Sequence, residues 1–224
     1  MRNKVSREMN QKRGIKGMSV AILADNGFEE DELLKPKKAL EDAGAKTSIV
    51  SPQNDVVKGW RSKKWGRELH VDVPLHEANS SDYDALFLPG GVINADSLRM
   101  QRRAVEFVKS FFTDGKPVAV ICHAPWAIIE AGEAHGRRMT SWPSLKTDLR
   151  NAGADWVDEE VVVDGNLLSS RKPDDIPAFS SKMVELFNIS QTPLSDVIAE
   201  MRDVQHPARP PKRENDVLDM LMQA

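Results

Sequence analysis

The chain is poor in several things, and each shortage excludes a class of protein. Of 224 residues only one is cysteine, Cys122, and only one is tyrosine. A lone thiol rules out an intrachain disulfide framework and a multi-cysteine zinc site, and it fits a reducing, cytoplasmic setting. No apolar run approaches the roughly 18–20 residues that cross a bilayer, which excludes a membrane-spanning helix. Neither G-x-G-x-x-G nor a phosphate-loop lysine motif occurs, so no nucleotide cofactor is expected. His70, His76, His123 and His135 show no i, i+4 pairing, so no metal is expected either. The serine-hydrolase signature G-x-S-x-G is missing. The net charge is only −3, against a protein whose main work is gripping nucleic acid. Hydrophobic residues make up 40% and charged residues 29%, enough for one globular core with residues to spare.

The ends read as appendages. Residues 1–17 carry Arg2, Lys4, Arg7, Lys12, Arg13 and Lys16 against Glu8, with no apolar stretch behind them. A basic, disordered arm is expected here rather than a secretory signal. Residues 189–224 form a C-terminal extension broken by Pro207, Pro210 and Pro211. Short helical patterns flank the break: Leu194, Val197, Ile198 and Met201 on one side, Val217, Leu218, Leu221 and Met222 on the other.

Between them, residues 18–188 alternate strand and helix. Apolar runs at 18–24, 46–51, 84–88 and 117–121 suit strands, the first continuous enough to be buried on both faces. Helical spacing links Leu33, Pro36, Leu40 and Ala43, ended by Gly44; Pro36 must sit in the first turn of that helix or kink it. A single helix is expected over 97–113, shorter ones over 123–131 and 144–152, and a closing one over 174–188. Such alternation predicts an α/β fold: a flavodoxin-like open sandwich, mostly parallel, with helices on both faces. Residues 156–170 depart from it, reading as a β-hairpin around Asp164-Gly165, and 58–73 as a second antiparallel excursion.

Sheets of this kind bind ligands beyond the carboxyl ends of their strands. The residues there are Asp25 through Glu32, then Pro89-Gly90-Gly91, then Cys122-His123-Ala124-Pro125. Cys122 at a strand-to-helix turn is the position of a nucleophile elbow, where a helix N-terminus is expected to lower the thiol pKa. Taken alone, a single cysteine is also compatible with a small buried hydrophobe. His123 can act as base or proton shuttle, or lend its backbone N–H to an oxyanion hole. Gly90 and Gly91 offer free N–H groups for the same purpose, or simply make a tight turn. Acids in a first helical turn are already favoured by the macrodipole. One that is buried near the thiol would tend to be protonated and to donate to a thiolate.

These residues resemble the PfpI family, the intracellular-protease-like branch of the superfamily that includes the Parkinsonism-associated deglycase. The resemblance runs from about Met18 to Phe187. It rests on Ala24-Asp25, Glu29-Glu30-Asp31-Glu32-Leu33, Leu88-Pro89-Gly90-Gly91, Ala119 through Pro125, Thr140-Ser141-Trp142-Pro143, Asn151 through Ala154 and Val161 through Asn166. It implies that Cys122 is the nucleophile, followed by the family histidine His123, and that Glu32 contacts the sulfur. It makes Glu29 a site neighbour and Gly91 the oxyanion-side glycine, with Gly90 and Ala124 beside them in the substrate-binding backbone. Asp96 falls near the place where PfpI-like proteases take a triad glutamate from the neighbouring subunit; here it is an aspartate, and one extra residue follows the diglycine. A homodimer, with hexamers built from dimers, is implied. So is a cofactor-independent stress-response enzyme that acts on reactive carbonyls or glycated adducts. The resemblance leaves two alternatives, an intracellular cysteine peptidase and a redox-sensing stress protein or chaperone.

Overall fold

A computed structural model describes residues 14–190. Of the arm expected over 1–17, residues 1–13 lie outside the described residues, as do residues 191–224 of the extension expected over 189–224. Gly14–Gly17 form a turn, and Ile15 is fully buried in the core, so the packed domain reaches a few residues before the first strand.

The four apolar runs are strands β1 (Ser19–Leu23), β3 (Lys46–Ser51), β7 (Ala85–Leu88) and β8 (Val118–Ile121). They lie side by side in a seven-stranded sheet of order β11-β12-β8-β7-β1-β3-β6. The short β6 is Val73–Pro74, and β11 (Val161–Asp164) and β12 (Leu167–Ser170) form the expected hairpin. All neighbours are parallel except β11, which runs against β12. Trp156 is not part of that hairpin. It lies in β10 (Asp155–Trp156), paired in parallel with β9 (Arg138–Met139).

Alternation along the strands divides the core in two. Ala21, Leu23, Leu86, Leu88, Val118 and Val120 face one side. There they meet α2 (Val92–Arg99), α3 (Arg102–Thr113), α4 (Pro125–Glu130) and α5 (Lys146–Asn151), for example through Leu98, Phe111, Ile128 and Leu149. Val20, Ile22, Ala85, Phe87, Ala119 and Ile121 face the other. Those meet α1 (Glu30–Asp42) and α6 (Ile176–Ser190) through Leu33, Leu40, Phe179, Met183 and Phe187. A period of two on strands buried on both faces produces this three-layer sandwich.

A second expectation needs correction. The helix over 97–113 is two helices: Gln101 is extended and interrupts them, its side-chain amide reaching Asp25 at 3.2 Å. Pro36 lies beyond the first turn of α1, buried inside the helix. Having no N–H, it leaves the carbonyl of Glu32, four residues back, without its helical donor.

The excursion over 58–73 is a separate three-stranded sheet of order β2-β4-β5: β2 (Phe28–Glu29), β4 (Val56–Arg61) and β5 (Lys64–His70). Its two-residue loop has Ser62 at φ 50° and Lys63 at φ 65°, the geometry of a type I′ turn.

Candidate active site

The rims of β1, β7 and β8 converge as the topology requires, and Cys122 stands at their centre. Its backbone has φ 64°, a left-handed conformation costing a β-carbon residue roughly 1–3 kcal/mol. Hydrogen bonds on either side enforce it. The Cys122 N–H donates to the Ser170 carbonyl at 3.0 Å, and its own carbonyl accepts from the Trp142 N–H at 2.9 Å. The turn lifts the sulfur off the sheet towards the diglycine and α1.

Gly90 is required there. A Cβ on it would lie 2.1 Å from a Glu32 carboxyl oxygen and 2.5 Å from the Cys122 Cβ. Asn94, fully buried in α2, ties this loop down. Its side-chain amide donates to the carbonyls of Pro89 (3.0 Å) and Gly90 (3.1 Å), and its side-chain oxygen accepts the Asp25 N–H at 2.7 Å. Asp25 is itself buried and accepts from Gln53 and Ser97. The loop that follows β7 is thus wired to the loop that follows β1.

Glu32 projects from the first turn of α1 and is fully buried. Neither carboxyl oxygen completes a hydrogen bond, although the Cys122 sulfur and the Gly90 N–H lie close enough to act on its charge. Burial pushes its pKa from the ordinary 4.5 up to about 8, so at neutral pH it holds a proton. Burial also raises the Cys122 thiol, and an ionised Glu32 would raise it further. The N–H groups of Gly91 and His123 face the sulfur and favour the thiolate, but they are outweighed. The lowered thiol pKa expected from a helix N-terminus is therefore not found. Desolvation exceeds the backbone dipoles.

His123 packs beside the sulfur, with Nδ1 3.1 Å from Sγ, and its Nε2 lies 3.5 Å from the Ser144 hydroxyl. The ring stacks on Trp142 at 5.8 Å between centroids. Burial lowers its pKa to about 4, so the imidazole is neutral and its Nδ1 can accept the thiol hydrogen. The resting site holds a neutral acid, a neutral thiol and a neutral base in contact. A proton moved among them makes a thiolate without bringing net charge into the pocket.

Glu29, one turn before Glu32, lines the same pocket and is half-buried. Burial raises its pKa, followed by the charges of Asp31 and Glu30. Two expected residues lie elsewhere. The Ala124 N–H donates to the Ile121 carbonyl at 3.1 Å, so its amide is already engaged within the turn and is not free for an oxyanion. Asp96 is exposed on α2, paired with Arg99 at 2.8 Å, and does not line the pocket.

The pocket in front of Cys122 has a volume of about 430 Å³. Trp60, Trp142, Val92, Ile93 and Pro173 also line it, none of which the sequence singled out as pocket residues. Asn94 and Ser144 were missed as well. Signals existed for Asn94, an amide three residues beyond a diglycine at a helix start, and for Trp142, which lies in the Thr140-Ser141-Trp142-Pro143 motif.

The chain is 44% identical over 169 residues to a protein named deglycase from Pyrococcus abyssi, covering 75% of this chain and 99% of that one. It is 41% identical over 169 residues to deglycase PfpI of Pyrococcus furiosus, with the same coverage. General stress protein 18 of Bacillus subtilis is 42% identical over 172 residues, 76% of this chain and 98% of its own length. Among solved structures, Drosophila melanogaster DJ-1beta superposes with a TM-score of 0.69 at 28% identity, over 78% of this chain and 95% of that one. The profile of the DJ-1/PfpI family matches residues 18–186, and the chain belongs to that family.

Proposed function

We propose that this chain is a cysteine-dependent stress-response enzyme of the deglycase and glyoxalase type, acting on reactive carbonyls and their adducts with amines. The observation that carries the reading is Glu32: a buried, protonated carboxyl with no completed hydrogen bond, set against Cys122 and opening onto a ligand-sized pocket. A carboxyl with a pKa near neutrality and unused hydrogen-bonding capacity is suited to passing protons to and from a substrate. The names of the relatives, deglycase and general stress protein, support the same reading.

In this mechanism the thiol proton passes to His123 Nδ1 as Sγ adds to the aldehyde carbon of a 2-oxoaldehyde. The oxyanion forms beside the N–H groups of Gly91 and His123. Glu32 first gives its proton to that oxyanion; the carboxylate so made moves the hydrogen of the same carbon, as a proton, to the neighbouring carbon through an enediol, leaving a thioester of the 2-hydroxy acid, and the proton held by His123 returns to Glu32 as the hydroxyl protons redistribute. Water hydrolyses that thioester and restores the thiol. One carbon is oxidised by two electrons and its neighbour reduced by two, so water is the sole co-reactant. The same chemistry on a glycated amine releases the free amine and the hydroxy acid.

The neutral, 7% exposed thiol disfavours the sensor alternative, since oxidation needs an accessible thiolate. Asp96 shares α2 with exposed Val92 and Ile93, a placement that lets it serve a second copy in a homodimer or larger ring.

The test is lactate formation from methylglyoxal. Wild type turns over, and Cys122→Ala loses more than about a thousandfold in kcat, as expected for a covalent nucleophile. Undiminished lactate from Cys122→Ala would refute the mechanism.

A further inference from the structure

The pocket is larger and more apolar than the reaction requires. A three-carbon oxoaldehyde needs a nucleophile, an oxyanion site and a proton carrier, all of which lie at the pocket floor. Above that floor rise two indoles and three aliphatic side chains enclosing about 430 Å³, within the range of pockets that take ligands of many heavy atoms.

Both indoles are fixed from behind. Trp142 is held by its N–H bond to the Cys122 carbonyl and by its stack on His123. Trp60 meets Trp65 edge-on, at 5.3 Å between centroids and 89° between planes. The strand paired with its own, β5, is pinned to α1 through the buried Glu30 side chain, which accepts the Arg67 N–H. Gly59 and Gly66 are bare because side chains there would strike Glu30. Ile93 is anchored on one side by close contact with Gly27, yet remains 44% exposed at the rim. Preorganised aromatic faces and exposed aliphatic groups around a reactive sulfur form a binding slot for an apolar planar group.

We propose that the preferred substrates are 2-oxoaldehydes bearing an aryl or comparably bulky apolar substituent, which seats against Trp60 and Trp142 while the aldehyde carbon meets Cys122. This rests on the carbonyl chemistry proposed above and assigns its specificity. For phenylglyoxal the sulfur adds to the aldehyde carbon and the hydrogen on that carbon moves, as a proton, to the neighbouring carbon. Water then cleaves the thioester to mandelate and free thiol.

The experiment measures kcat/KM of the full chain for phenylglyoxal (as mandelate) and for methylglyoxal (as lactate), in wild type, Trp60→Ala and Trp60→Phe. Wild type is expected to favour phenylglyoxal by at least about tenfold, the lower end of what an apolar slot discriminates. The ratio should fall at least about fivefold in Trp60→Ala and be kept in Trp60→Phe. Comparing ratios between variants removes the intrinsic difference in reactivity of the two aldehydes. If Trp60→Ala does not fold, Trp60→Leu, which keeps apolar volume without the ring, should show the same fall. A wild-type ratio at or below one, or a ratio unmoved by losing the indole, overturns the specificity while leaving the carbonyl reading intact. No product from either aldehyde overturns both.

Discussion

Replacing Glu32 by Gln should abolish catalysis and at the same time flatten the dependence of stability on pH. An ordinary carboxyl titrates near 4.5, whereas in the folded chain burial raises Glu32 to about 8. Between those values the native state holds a proton that the unfolded chain releases, so stability falls as pH rises and stops falling above the native value. Below its ordinary value of 6.5 His123 contributes the opposite slope, because its native pKa is lowered to about 4 and the unfolded chain takes up a proton first. From pH 6.5 to 8 the Glu32 slope dominates, and because His123 titrates alike in both proteins the difference between wild type and Glu32→Gln isolates Glu32. At about 1.36 kcal/mol per unit, less as the group half-ionises, wild type should lose about 1.7 kcal/mol across that window relative to Glu32→Gln. For a domain of this size that is a fall in Tm of about 3–7 °C. Glu32→Gln keeps the shape and removes the titration, so its Tm should be nearly level over the same range. Paired melting curves at pH 6.5, 7.25 and 8 decide the matter, with lactate formation measured on the same samples. Parallel Tm profiles for the two proteins would show that Glu32 is not a neutral buried acid and would remove the proton carrier from the mechanism.

Two other substitutions probe the scaffold of the site. Gly90→Ala places a methyl 2.1 Å from the Glu32 carboxyl and 2.5 Å from the Cys122 Cβ, and kcat should drop by about a hundredfold, as reacting groups displaced by an ångström do; activity within threefold of wild type would contradict that. Asn94→Ala removes two donors to the Pro89-Gly90 loop and strands the Asp25 N–H, which should cost about 2–3 kcal/mol and lower Tm by about 4–12 °C in a thermal scan.

The parts of the fold that could be read from the chain are those where one residue's environment extends to its neighbours. A strand covered on both faces leaves an unbroken apolar run, so β1, β3, β7 and β8 stood out to within a residue of their ends, and with them the rim where Cys122 sits. The break at Gln101 was hidden because the residue its side chain bonds, Asp25, lies seventy-six positions away. Pocket walls were hidden for the same reason. Trp60 arrives on a hairpin, where nothing local distinguishes it from a core aromatic, and Trp142 on the loop after β9, where its motif carries the family resemblance but does not say that the ring faces the pocket. The thiol's protonation was misjudged because a helix terminus is visible in sequence whereas the depth of burial that opposes it is not.

The indole of Trp60 rides on a small sheet that shares no strand with the central one. The nucleophile's turn, by contrast, is bonded to Ser170 and Trp142 around the main sheet. Lineages descending from such an architecture can lengthen, shorten or resurface the tip of the hairpin without disturbing the elbow, since β4 meets the loops of the site at its inner end, where the Gly27 N–H donates to the Lys58 carbonyl and the Lys58 N–H to the Asn26 side chain. Selection thus acts on what enters the pocket and on what happens there as nearly independent traits, the type I′ turn at Ser62-Lys63 being the natural point of insertion.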